Sequence, residues 1–99
     1  MPDIHSLREE INRTDIQITE AFIRRMNTAL EIAKYKQANG LPVHDPIRER
    51  EVRACAVEQC PPELRIHVEL LYNTLFDVSR SYQQCYLSHD TGAGDHDGA

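Results

Sequence analysis

Apolar residues recur at Ile4, Leu7, Ile11, Ile18, Phe22, Ala29 and Ile32 with no proline or glycine between them. Spacing by threes and fours predicts one continuous helix from about Ile4 to Asn39. Two start signals compete: Asp3 as an N-cap, and the capping box Ser6-x-x-Glu9. The stop is clearer. Asn39-Gly40 supplies a left-handed residue, Lys34 and Lys36 sit near the negative pole, and Pro42 follows. After a loop over Leu41 to His44, Asp45-Pro46 opens a second helix with a carboxylate cap and a proline at the first helical position. That helix runs to about Glu58, before Cys60-Pro61-Pro62 breaks it. A third helix, from near Glu63 to about Ser88, carries Leu64, Leu71, Leu75, Val78 and Tyr82 at the same helical spacing. The fold class expected is all-α, with one long, one short and one medium helix.

The first helix poses a geometric problem. About 35 residues at about 1.5 Å each span roughly 50 Å, whereas a compact chain of this length has a radius of gyration of about 13 Å. Its own chain cannot wrap it. The expected solution is an intertwined homodimer in which long helices lie together and the shorter helices cover the partner; the alternative is an isolated helical hairpin with a frayed end. Residues 1–89 form the expected domain, and the acidic, Gly-rich stretch 90–99 is expected to be a disordered tail or a truncated linker.

Composition narrows the function. Aromatic residues are scarce and Trp is absent, which suits helix packing over a sandwich or barrel. The formal net charge is -5 and the arginines are interspersed with Glu and Asp, so no nucleic-acid footprint is visible. Any bound anion must be small and locally recognised. Cys55, Cys60 and Cys85 form no C-x-x-C pair and read as reduced thiols in a cytoplasmic protein. Met1 to His5 show no basic region followed by an apolar core and no apolar run approaches membrane-spanning length, so neither secretion nor membrane insertion is expected. The scattered histidines give no metal set, and neither a phosphate-cradling glycine loop nor a nucleophile elbow occurs. No cofactor is expected.

Continuing the apolar stripe of the first helix lands on Arg25 and Lys36, eleven residues apart. Three turns separate them, so they point the same way about 16 Å apart and could hold opposite ends of one small ligand. Either alone would more often be a snorkelling side chain. Arg8 borders the same stripe about 25 Å from Arg25, beyond the reach of two arginine side chains. If it serves the same ligand it must come from another chain. Asp45, Arg48, Glu49 and Val52 share one face of the second helix, where solvated ion pairing is the alternative. On the third, Ser79 and Gln83 adjoin a row of Tyr72, Leu75 and Phe76; a ligand or a simple hydrogen bond would satisfy them equally.

Together these residues resemble a known pattern: Leu7-Arg8-x-x-Ile11-x-x-x-Asp15, then Arg25, then Ile32-Ala33-x-x-Lys36, Pro42-Val43-His44-Asp45-Pro46-x-Arg48-Glu49, and Ser79-x-x-x-Gln83. The chain resembles the all-helical chorismate mutase family over about residues 4 to 88. The resemblance implies an intertwined dimer with two equivalent sites and the rearrangement of chorismate to prephenate in aromatic amino acid biosynthesis. By resemblance, Arg8 of one chain and Arg25 and Arg48 of the other hold the substrate carboxylates. Lys36 and Gln83 donate to the ether oxygen, Glu49 and the Asp45 backbone meet the ring hydroxyl, and Ser79 assists a carboxylate.

Chemically, such a site has two tasks. Arginine forks hold a small dianion in a near-attack conformer, and Lys36 with Gln83 stabilises charge developing on the ether oxygen. The alternatives are the sibling activities of the fold, isochorismate pyruvate lyase or aminodeoxychorismate mutase, and a non-catalytic helical dimerisation module. The last gives Arg25, Lys36, Ser79 and Gln83 no reason to lie on inward faces.

Overall fold

The structure, a computed structural model, describes the backbone of residues 3–98 and the side chains of residues 3–88. Three α-helices follow one another: α1 (Ile4–Ala38), α2 (Pro46–Glu58) and α3 (Arg65–Gly98), with a single 3-10 turn at Pro62–Leu64 leading into α3. The described residues contain no strand, so the chain is all-α.

Of the two candidate starts for α1, Asp3 is the one used. Its carboxylate accepts the Ser6 backbone N–H at 2.8 Å, and that bond holds its pKa below the ordinary carboxylate value. At the other end Gly40 takes φ +67°. The Leu41 N–H donates to the Lys36 carbonyl at 2.8 Å and the Gly40 N–H to the Gln37 carbonyl at 3.3 Å, the paired bonds of a Schellman stop. This turn sends the chain back toward α2. There Asp45 Oδ1 accepts the Arg48 N–H at 3.1 Å and Pro46 occupies the first turn.

α3 begins at Arg65, after the 3-10 turn, and not at Glu63, because Pro61-Pro62 spends the first turn in the tighter geometry. Its backbone is bounded at Gly98, past the end expected near Ser88. No proline interrupts the stretch after Leu87, and glycine weakens a helix without breaking it as proline does. The tail expected at 90–99 lies outside the residues whose side chains are described.

Both α1 and α2 pack on α3. Among the residues whose side chains are described, only Leu30, Ala33, Phe76 and Ser79 are buried, and they lie where the C-terminal half of α1 crosses the middle of α3. The rest of α1 is uncovered: every residue from Asp3 to Ala21 is exposed. Ile4, Leu7, Ile11 and Ile18, the first half of the predicted apolar stripe, are thus left facing outward in one protomer.

On α3, not every apolar position at helical spacing faces inward. Leu71, Val78 and Tyr82 are exposed, while Tyr72, Leu75, Phe76, Ser79 and Gln83 turn inward. α3 carries two apolar rows, and its own chain covers one of them. The radius of gyration, 18.0 Å, exceeds the roughly 13 Å of a compact chain of this length because α1 and α3 are both long helices that overlap over only part of their length.

Candidate active site

The helix packing leaves a cavity of about 280 Å³ between the C-terminal half of α1, the loop before α2, α2 itself and α3. Each element contributes polar groups for a local reason. α1 presents Arg25 and Lys36 at a three-turn interval, with Ala29, Ile32 and Ala33 flooring the space between them. The loop supplies His44 and Asp45, and the first turns of α2 supply Arg48 and Glu49. α3 closes the far side with Phe76, Ser79, Arg80 and Gln83. Seven residues singled out from the sequence therefore meet in one place: Arg25, Lys36, Asp45, Arg48, Glu49, Ser79 and Gln83. Arg8 does not line it; it stands on the exposed arm of α1, as its distance from Arg25 along the helix requires.

The polar groups hold one another in place. The Gln83 amide donates to Ser79 Oγ at 2.9 Å. Ser79 is thereby satisfied although buried, and the second N–H of the Gln83 amide stays available for another acceptor. Lys36 Nζ lies 3.8 Å from Asp45 Oδ2, a loose pair that joins α1 to the α2 cap. The Arg25 guanidinium stands 5.6 Å from the centroid of the Phe76 ring, and Arg53 stands 5.9 Å from the same ring. Such stacking orients a guanidinium while leaving its N–H edge free. Arg53 also donates to Asn73 Oδ1 at 2.7 Å, which ties α2 to α3 behind the cavity.

One participant is absent from the sequence reading. Arg80 lines the cavity and donates through Nη1 to Glu49 Oε2 and through Nη2 to Asp77 Oδ1. The signal was available: Arg80 follows Ser79 directly and stands three residues before Gln83, so it borders the same inward face. The other carboxylate oxygen of Glu49 lies 3.8 Å from His44 Nε2. Glu49 is therefore cross-linked to α3, and the solvated pairing considered for the α2 face holds only for Arg48, which lies 3.8 Å from Glu51.

Four cationic side chains, Arg25, Lys36, Arg48 and Arg80, line the cavity against two carboxylates, Asp45 and Glu49. The local excess is positive in a chain of net charge -5. Such a site can hold a small anion with two acidic ends, present donors to a third point between them, and offer a carboxylate acceptor opposite α1. Among the described residues no group of His, Cys, Asp and Glu is arranged to hold a metal ion, and no described helix is long and apolar enough to cross a membrane.

A family model described as chorismate mutase type II matches residues 7–84, a span that contains every cavity residue named above and Arg8. A bifunctional chorismate mutase/prephenate dehydratase of Aquifex aeolicus (strain VF5) is 38% identical over 52 residues, which cover 52% of this chain and 14% of that protein. The chain thus spans a small part of the length of this relative. No solved structure matches it.

Proposed function

The chain belongs to the chorismate mutase type II family, and from that premise we propose that it converts chorismate to prephenate. The observation that carries the proposal is the convergence of Arg25 and Lys36 of α1, Arg48 and Glu49 of α2, and Ser79 and Gln83 of α3 on one small cavity. A volume of about 280 Å³ suits a single small metabolite and no polymer.

The rearrangement breaks one C–O bond and forms one C–C bond within the substrate, so it needs neither proton transfer nor a covalent enzyme intermediate. Two effects remain for the protein to supply. Arg25 and Arg48 grip the carboxylates and hold the enolpyruvyl arm over the ring in a reactive conformer. Lys36 and the free N–H of Gln83 donate to the ether oxygen, where negative charge grows as the bond opens. Glu49 and the Asp45 backbone receive the ring hydroxyl, and Ser79 supports a carboxylate through its hydroxyl. None of these steps calls for a cofactor.

Arg8 completes the site from a partner chain in this proposal. The exposed apolar arm supports a homodimer: Ile4, Leu7, Ile11 and Ile18 have no cover of their own, and contiguous exposed apolar surface on this scale marks an association face. Incubating the purified protein with chorismate and following its loss together with prephenate formation tests the activity; absence of prephenate refutes it. Pyruvate released from isochorismate instead would assign the sibling lyase reaction. The shared site has its own test. Arg8→Ala and Arg25→Ala chains, each inactive alone, regain partial activity when unfolded and reassembled together, because mixed dimers contain one intact site. Verified heterodimers with no activity would refute it.

A further inference from the structure

We propose that Arg80 is a specificity-determining residue: by neutralising Glu49, it fits the cavity to a substrate with a neutral ring hydroxyl and against one with a ring ammonium. The inference rests on the functional reading above and adds to it a residue that reading does not use.

Glu49 and Arg80 are held together inside the site. Their side chains are 23% and 30% exposed, and Arg80 Nη1 donates to Glu49 Oε2. The Arg80 fork is fixed from behind by Asp77 at 2.5 Å. Asp77 is 72% exposed, so water screens its charge and it orients Arg80 more than it cancels it. The remaining charged or titratable groups around Glu49 are His44 at 3.8 Å, Arg48 and Asp45 on the same wall, and Lys36 across the cavity. Except for Asp45, every one of these neighbours is cationic or becomes so on protonation.

The consequence follows from charge. A carboxylate already engaged at one oxygen by a guanidinium keeps lone pairs on the other, and these still accept a hydrogen bond from a hydroxyl. It is a poor counterion, however, because an ammonium brought to it also approaches Arg80. The amino analogue of chorismate, 4-amino-4-deoxychorismate, carries such an ammonium at the ring position of the hydroxyl. Its rearrangement has the same bond balance, so charge at the ring position is the variable that differs.

The test compares kcat/KM for chorismate and for the amino analogue in the wild-type protein, Arg80→Met and Arg80→Lys. Where turnover of the analogue falls below detection, its inhibition constant against chorismate replaces it. Preference for chorismate is expected to fall about tenfold in Arg80→Met, the scale of one unit charge removed at a partly exposed site, and to survive in Arg80→Lys. Both substrates meet the same preparation, so a loss of folded protein cancels in the ratio. Parallel loss toward both compounds in Arg80→Met would mean a merely structural arginine and would overturn the proposal. Equal collapse of the preference in Arg80→Lys would overturn its electrostatic basis. A wild-type protein that leaves chorismate unchanged refutes the functional reading itself, so the two failures are distinguishable.

Discussion

Replacing Ile11 by Asp tests whether the bare arm of α1 is an interface. Ile11 is 60% exposed in the protomer, between Leu7 and Ile18 on the uncovered stripe. Full burial of an isoleucine side chain contributes about 1.5–3 kcal/mol, so covering its exposed fraction contributes about 1–2 kcal/mol. A two-fold dimer uses the position twice, which brings the loss to about 2–4 kcal/mol before the desolvation of two carboxylates is counted. Dimer dissociation should therefore strengthen by at least about 30- to 700-fold. The folding of the isolated protomer should hardly change, because a substitution on an exposed helix face ordinarily moves stability by about 0.5 kcal/mol or less. Sedimentation across a dilution series reads the association, and specific activity measured on the same samples reads the site. The expected result is a monomeric variant whose activity recovers at high protein concentration, where Arg8 again reaches its partner. Identical sedimentation and identical activity in the variant and the wild type would refute the interface.

Two further predictions follow from the loop and the cavity. Lys36→Ala should lower kcat about 100- to 1000-fold, as loss of a donor to developing charge does, while circular dichroism and the denaturation midpoint stay near the wild type, since its pairing with Asp45 is long at 3.8 Å. Near-normal turnover would remove Lys36 from the ether oxygen. Gly40→Ala should destabilise the fold by about 1 kcal/mol. A methyl group there meets no atom within 4 Å, so the cost comes from φ +67° alone, and urea midpoints at fixed protein concentration measure it.

The helix boundaries were legible because capping chemistry is local. Asp3, Asn39-Gly40 and Asp45-Pro46 each act within a few residues, and each does in the structure what its sequence suggests. That Arg25 and Lys36 would line one wall, and that Ser79 and Gln83 would lie together on an inward face, was legible too, because helical geometry fixes which residues share a face. That Leu71 and Val78 would stay uncovered within the chain was not. Leu71 and Val78 are as apolar as Leu75 and Phe76, and periodicity cannot tell a row covered within the chain from one left open. Arg80 escaped for a related reason: an arginine three residues from Asp77 reads as a solvated helix pair, and only the approach of α2 places Glu49 at its other nitrogen.

The charge distribution explains how an acidic protein could hold a dianion. The acidic excess of the chain lies outside the cavity, since its lining carries four cations against two carboxylates. Exposed charges farther away than about 8 Å are largely screened at physiological ionic strength, whereas groups in a partly enclosed cavity are screened much less. The cavity therefore presents its own positive field despite the net charge of -5. Within that field the cations are not equivalent. Arg80 is committed to Glu49 and Asp77, and Arg48 lies 3.8 Å from Glu51, which leaves Arg25, stacked on Phe76, as the arginine readiest to meet a carboxylate. In the proposed function a protomer so equipped would attract the substrate yet fix only part of it, and Arg8 of the partner in the proposed dimer would supply the missing grip. Association and catalysis are then coupled through one side chain, which is why dilution of Ile11→Asp should remove activity while the cavity itself stays folded.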